Sequence, residues 1–400
     1  MKIGITTSVI QRGQTGIARW IMSVLESLRR HTDRHEIHLF VLEGDLPLFD
    51  FARGHFQLHT VPEANRNPIR DIAWHQLQLP RLARRLGLDV VHVPSYRRMP
   101  WGMPCASLAT IHDLAPFRLA GKYDLARMIY GRFALRRLAR RQTRITTVSS
   151  QTAADIEHFA GIDRHGIDIL HNGVDRRRFK PVPREEAEPF VREAFRIAAP
   201  YYLYVARLEH PAKNHLTLLR AFELFRDRSP ERRTLVFAGQ DWSGSEAIHQ
   251  AIARSRYARD IVCTGFVPDD LLPRLYQAAE AMIFPSLFEG FGIPPIEAMS
   301  CGCPVISSRS GALDEVLGDA ALSIDPKNCR LIADAMLNLA LQKCIKQDLI
   351  AKGYANALRF DWDRTADKLV SAYKSAASGY SRRSGISFAI GDSRAGLPAE

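Results

Sequence analysis

Cysteine is scarce in this chain: six residues in 400, at Cys105, Cys263, Cys301, Cys303, Cys329 and Cys344. No C-x-x-C occurs, and the one close pair, Cys301-Gly302-Cys303, has no histidine cluster beside it. Neither a zinc site nor a disulfide framework is indicated, and small buried thiols in a reducing compartment are expected. Long apolar runs are missing as well. None approaches the ~18 residues that a membrane span needs. The opening "MKIGITTSVI" has one lysine and no small-residue cleavage site after it, so it reads as a first β-strand rather than a signal peptide. Neither G-x-G-x-x-G nor G-x-x-x-x-G-K-[ST] occurs, which argues against a dinucleotide fingerprint and against a P-loop. Acid is short in the first half only. Residues 1–180 hold 28 Lys and Arg against 16 Asp and Glu, the whole of the net charge of +12, whereas residues 181–400 hold 27 of each. Halves that differ in charge usually differ in partner.

What is present is an ordinary globular composition, 46% hydrophobic and 24% charged, long enough for about two domains of ~150 residues. "KIGITTSV", "EIHLFVLE", "DVVHVPS", "ASLATIHD", "RITTVSS" and "GIDILHN" have strand texture. "GIARWIMSVLESLRRH" places apolar residues at 17, 20, 21, 24, 25 and 28, a helical stripe. Strands alternating with helices predict a parallel sheet covered on both faces. Near residue 181, "KPVPREEAEPF" is rich in proline and charge, as linkers are. A second series follows: "YYLYVARLE", "LTLLRAFELFRD", "TLVFAG", "IVCTGFV", "LLPRLYQAAEAMIF" and "CPVISS". The expected architecture is α/β, with two doubly wound Rossmann-like domains, 1–181 and 182–375. Residues 376–400 lack periodicity and are expected to be a disordered tail.

The most informative stretch is "AMIFPSLFEGFGIPPIEAMSCGCPVISS", residues 281–308, where Glu289 and Glu297 stand eight apart in apolar surroundings. "AEAMIF" reads as a buried strand, "SLFEGFGI" as the loop leaving its carboxyl end, and "PPIEAMS" as a helix begun by proline and closed by Gly302. Ligands of doubly wound sheets bind at the carboxyl ends of the strands, which puts Glu289 at the ligand position. Glycine lets backbone approach a ligand, and a helix start offers free N–H groups to an anion. Glu297, just inside that helix, can accept two hydrogen bonds from a vicinal diol. The arrangement suits a nucleotide, diphosphate at the helix start and ribose on the second glutamate. The plainer alternative is a solvated Glu289 and a Glu297 that complements the helix dipole.

That segment closely resembles the E-x7-E signature of the retaining glycosyltransferase family 4, and it does not stand alone. "YLYVARLEHPAKNH" is similar to the family's donor-diphosphate loop, "ILHNGVDRRRF" to its N-G-V-D-x-x-x-F segment and "TIHDL" to its His-Asp motif. "TVSSQTAADI" resembles its Ser-rich turn, and "FDWDRTADKLVSAY" its C-terminal helix. The resemblance covers residues 1 to about 375. It implies a GT-B enzyme, two Rossmann-like domains with a cleft between them. The last helix, about 361–375, would be placed to pack back on the first domain.

By this resemblance Glu289 contacts the donor sugar, Glu297 the nucleotide ribose, and Arg207 and Lys213 the diphosphate, whose charge grows as the nucleotide leaves. Backbone N–H groups of Gly290, Phe291 and Gly292 complete the phosphate cradle. Gly13 and Gly16 belong to the loop that closes over the diphosphate and borders the acceptor; a plain strand–helix turn is the alternative. His112 approaches the sugar across the cleft. The donor implied first is GDP-mannose, then UDP-glucose, and the acceptor a glycan or polyprenyl-diphosphate-linked oligosaccharide of surface polysaccharide. No cofactor and no metal is expected: "DWD" at 361–363 marks the entry of a helix, with Asp363 as its cap. Residues 118–144 hold nine Lys and Arg against Asp124 alone, with Leu125, Met128, Ile129, Phe133 and Leu138 near helical spacing. That pattern suits peripheral contact with an anionic membrane from the cytoplasmic side, or equally a solvated helix whose stripe is core. A GT-B epimerase or phosphorylase and a non-catalytic polyanion-binding protein are the rival readings. Charge alone leaves nucleic acid open, but no recognition motif accompanies it, and no nucleic-acid partner is expected.

Overall fold

The computed structural model describes residues 1–13, 15–118, 125–197 and 200–384. The short β-branched runs become strands, and they pair in parallel. The first seven are β1 (Lys2–Thr6), β2 (Glu36–Leu42), β3 (Gln57–Val61), β4 (Val90–Val93), β5 (Ala106–Ile111), β6 (Arg144–Thr147) and β7 (Asp168–Ile169). They form one sheet in the order β3-β2-β1-β4-β5-β6-β7. The next six are β8 (Tyr201–Val205), β9 (Thr234–Ala238), β10 (Ile261–Gly265), β11 (Ala281–Phe284), β12 (Val305–Ser308) and β13 (Ala321–Ile324). Their order is β10-β9-β8-β11-β12-β13. Strands β4, β5, β11 and β12 are buried at every residue, which is why they read as unbroken runs rather than alternations. In each sheet the strand order reverses at the middle, between β1 and β4 and between β8 and β11. Those are the two places where such sheets open a crevice for ligands.

The first helix, Gly16–Leu28, shows how the cleft is built. Ala18, Trp20, Ile21, Val24, Leu25 and Leu28 are buried against the sheet, and Thr15 caps the helix by accepting from Ala18 N at 3.1 Å. The opposite stripe, Gly16, Arg19, Ser23, Glu26 and Ser27, faces the cleft. The last helix, Trp362–Ser384, leaves the second sheet and packs on the first helix and on β4 to β6. Tyr373 of that helix hydrogen-bonds His92 of β4 at 2.8 Å.

Several expectations change. Residues 184–195, read as linker, form the helix Arg184–Phe195, which buries Ala187 and Val191 and packs on the helix Leu272–Ala278. Residues 376–384, expected in the tail, continue the last helix; residues 385–400 lie outside the described residues. Asp361, not Asp363, caps that helix, accepting from Asp363 N at 2.8 Å. Cys105, Cys301 and Cys303 are buried as expected, but Cys263 and Cys344 are exposed. Of the basic stretch 118–144, residues 119–124 lie outside the described residues and Leu125–Ala139 is helical. Leu135 and Ala139 are buried and Leu138 half-buried, whereas Phe133, Arg136, Arg137 and Arg140 are exposed. No described helix is long and apolar enough to cross a membrane.

Candidate active site

The two crevices meet in a cleft of about 1270 Å³. One wall is the loop after β1 with the first helix, carrying Gly13, Gly16 and Arg19; the other includes Arg207 after β8 and Glu297. Glu289, Lys213, His112 and Gly290–Gly292 fall outside that lining. Gly290 and His112 mark the seam where the two halves touch. A Cβ on Gly290 would sit 2.2 Å from the carbonyl oxygen of His112 and 2.7 Å from Asp113 Cβ, so glycine alone lets the halves approach this closely. Ser149 Oγ donates to the Gly290 carbonyl at 2.8 Å. Nearby, Glu315 of the second half accepts from Ser150 N at 2.9 Å, Gln151 N at 3.3 Å, Ser150 Oγ at 3.1 Å and His171 Nε2 at 3.0 Å. It thereby fills the N-terminus of the helix Ser150–Ala160.

Glu289 is fixed through its backbone. Ala312 N donates to its carbonyl at 2.9 Å, and Gly311, at φ 67°, lies so close that a Cβ would meet the same oxygen at 2.2 Å. Its carboxylate accepts from Lys213 Nζ at 2.7 Å. Arg207 is held twice, by Glu209 at 3.1 Å and by stacking over the Trp242 ring at 4.4 Å. Phe291 turns its ring into the core, edge-on to Phe360 at 5.5 Å; what it can offer a ligand is backbone. Among the described residues nothing accepts from the N–H groups of Gly290, Phe291 or Gly292.

Glu297 sits in the helix Ile293–Ser300, which begins with Pro294 and Pro295 in its first turn. Both its oxygens are engaged: Arg19 Nη1 donates to Oε1 at 2.9 Å and Tyr276 OH to Oε2 at 3.0 Å. Arg19 also donates to Asp269 Oδ1 at 2.7 Å, and Arg178 to Asp269 Oδ2 at 3.2 Å. Glu297 above all, and Asp269 with it, hold the Arg19 guanidinium above its ordinary pKa. Burial alone would raise the Asp269 carboxyl; Arg19 and Arg178 outweigh it and keep the group low.

His112 directly follows β5. Burial pushes its pKa down to about 4, against a hydrogen bond to the Pro94 carbonyl, so the ring is neutral near pH 7. Its Nε2 is buried with no partner among the described residues. A neutral ring bonded through its other nitrogen presents Nε2 as an acceptor, suited to a hydroxyl. Trp20 braces the ring edge-on at 5.0 Å.

The structure therefore brings the expected residues into two adjoining places, the open cleft and the seam behind the Glu289 loop. Arg19, Tyr276, Asp269, Ser149 and Glu315 join them unexpectedly. For Arg19 the polar stripe of the first helix was a usable signal, and for Ser149 the Ser-rich turn "TVSSQTAADI"; nothing in the sequence distinguishes the other three.

Two family profiles match, one on each sheet: Glycosyltransferase Family 4 over residues 15–178 and Glycosyl transferases group 1 over residues 199–342. Each half of the chain thus matches a glycosyltransferase domain profile. Along 389 residues it is 29% identical to the O-antigen chain mannosyltransferase B of Escherichia coli, a match covering 94% of this chain and all of that one. It is 32% identical over 221 residues, about half of each chain, to the D-inositol 3-phosphate glycosyltransferase of Actinosynnema mirum. Sucrose-phosphate synthase from Thermosynechococcus elongatus superposes with a TM-score of 0.76 at 17% identity, covering 94% of this chain and 98% of that one. An Anabaena protein solved in complex with UDP and glucose gives 0.73 at 17% identity, over 94% and 100%. These structures establish the GT-B fold.

Proposed function

We propose that this glycosyltransferase moves a hexose, with retention of configuration, from a nucleotide sugar to a glycan or polyprenyl-diphosphate-linked acceptor in surface polysaccharide assembly. GDP-mannose is the first choice of donor, a preference supported by the full-length likeness to an O-antigen mannosyltransferase; UDP-glucose is the second. The observation that carries the reading is the position of the two glutamates beside the second sheet's crevice, each already paired with a cation, Lys213 on Glu289 and Arg19 on Glu297.

On this reading Glu289 holds the sugar hydroxyls near the reacting carbon, and His112 Nε2 accepts from a further hydroxyl. Arg207 and Lys213 neutralise the departing diphosphate, aided by the N–H groups of Gly290–Gly292 and of Gly13 and Gly16, without a metal or other cofactor. The acceptor hydroxyl attacks from the face the nucleotide leaves, and its proton passes to the departing phosphate. The exposed Arg136, Arg137 and Arg140 beside Phe133 support contact with an anionic membrane from the cytoplasmic side.

A thermal-shift series with GDP, UDP, ADP and dTDP, followed by transfer assays with the matching sugars, tests this. A nucleotide at 100 times its Kd should add ~2.7 kcal/mol of stability. A shift confined to GDP supports mannose as the sugar. UDP alone would keep the reaction and replace the donor, and no shift at all would sink the nucleotide site.

A further inference from the structure

We propose that Arg19 is a specificity-determining residue: it occupies the seat on Glu297 that the donor's ribose takes, and only a ligand bearing the ribose diol displaces it. The proposal rests on the reading of Glu297 as the ribose partner.

The Glu297 side chain is 4% exposed. A carboxylate so buried is costly unless every lone pair in reach is used. Tyr276, wholly buried in the same half of the chain, supplies one partner. The other comes from across the cleft, where Arg19 Nη1 sits 2.9 Å from Oε1. A vicinal diol brings two O–H donors and needs those same oxygens. Arg19 Nη1 stands on Oε1 from within the cleft, where a diol hydroxyl must come to bond the same oxygen.

The exchange is built to be easy on both sides. When ribose arrives, Glu297 trades its charged donor for hydroxyl donors, keeps Tyr276 and is never left bare. Arg19 loses one partner and keeps another, because Asp269 Oδ1 holds its second nitrogen at 2.7 Å and is itself held by Arg178. Arg19 thus pivots on Asp269 and does not need to leave the cleft. A free diphosphate has no diol with which to dislodge it. The cost of this filter is affinity, since only the fraction of molecules with Glu297 released can accept the nucleotide.

Arg19→Ala and Arg19→Met, beside the unaltered chain and Glu297→Gln, are titrated with GDP, UDP and ADP, and with the 2′,3′-dideoxy form of whichever binds. Both arginine variants should bind the ribonucleotide roughly tenfold more tightly, as expected if the released state is a ~10% minority. Their affinity for the dideoxy form should be unchanged. Equal tightening for both ligands overturns the proposal, because a merely structural or general charge effect would not distinguish them. Unchanged or weaker ribonucleotide binding overturns it too, the latter making Arg19 an ordinary phosphate ligand. Arg19→Met keeps the apolar stem, and a melting curve like that of the parent certifies its fold. Glu297→Gln reports on the underlying reading separately: it should lose the preference for ribose over dideoxyribose, and a retained preference defeats that reading whatever Arg19 does. A parent chain that binds none of the three nucleotides defeats both.

Discussion

The two halves of this molecule are wound alike but furnish the cleft differently. Each is a parallel sheet whose strand order reverses in the middle, so each opens a crevice on its carboxyl side. The second half brings charged side chains that are already paired within that half: Lys213 with Glu289, Arg207 with Glu209. The first half brings a glycine loop, a helix start and a neutral imidazole, with Arg29, Arg30 and Arg176–Arg178 along the cleft wall. Arg19, its charged residue beside Glu297, is balanced among the described residues by carboxylates of the second half alone. The difference separates two jobs. The second half holds a preorganised charge array that stands without its neighbour, and the first half completes the site by meeting it. Alterations in the second half should strike chemistry; alterations along the seam should strike how the halves meet.

The largest expected effect follows directly. Glu289→Ala should lower kcat for sugar transfer by ~10³-fold, or about 4 kcal/mol in barrier, in line with loss of one preorganised electrostatic contact. The fold should be untouched, because the residue lies on a loop whose backbone bonds remain. Turnover within tenfold of the parent, measured with the donor that the nucleotide series selects, would break the comparison at its strongest point.

Next comes the imidazole of the first half. The folded chain holds His112 near 4 against an ordinary 6.5, so in that window the unfolded chain binds a proton that the folded chain refuses. Stability is full above pH 6.5 and drains as pH falls toward 4, by ~3 kcal/mol for this group alone. Melts between pH 4.5 and 7 should show a slope to which His35, His92 and His215, also held low by burial, contribute, and His112→Gln should remove the ~3 kcal/mol share of this one ring. An unaltered slope would mean that the ring is not buried as a neutral acceptor.

How far the sequence foretold these parts depends on the range of the interaction involved. Glu289 and Glu297 were legible because local chemistry frames them: a doubly buried strand, a glycine loop, then prolines at a helix start. The strands covered on both faces were legible for the same reason. Edge strands β3, "QLHTV", and β13, "ALSI", were not, since they bury little and show no apolar run. Pro183 and Pro189 disguised the helix Arg184–Phe195 as linker. Its Arg184–Glu188 pair at 2.7 Å and its buried Ala187 and Val191 outweigh the break at Pro189. Residues 376–384 read as tail because their contacts are tertiary, with Ala376 buried in the core and Tyr380 OH reaching the Met103 carbonyl at 3.5 Å. The pairing of Arg19 with Glu297 spans 278 positions. No local pattern encodes a contact that the closing of two domains creates.

The seam gives the two smallest effects, and they sharpen the division. Gly290→Ala places a methyl group against the His112 backbone, which cannot turn aside as a side chain would. The halves should stand slightly apart, costing roughly 10–100-fold in transfer, the scale of a ~1 Å misplacement. Nucleotide affinity should change little, because the charge array of the second half is intact. Glu315→Gln loosens the same seam without a clash. Burial alone would raise this carboxyl, yet His171 and the Ser150 and Gln151 donors hold it below the ordinary 4.5. Its contribution is therefore present above pH 4.5 and lost on acidification below it. An amide keeps one acceptor oxygen for four donors, so the loss should be on the order of 1–2 kcal/mol of stability at neutral pH. Turnover should fall less than in Gly290→Ala. If Glu315→Gln instead abolished nucleotide binding, the second half could not be a site that stands alone, and the division between holding charge and closing over it would fail.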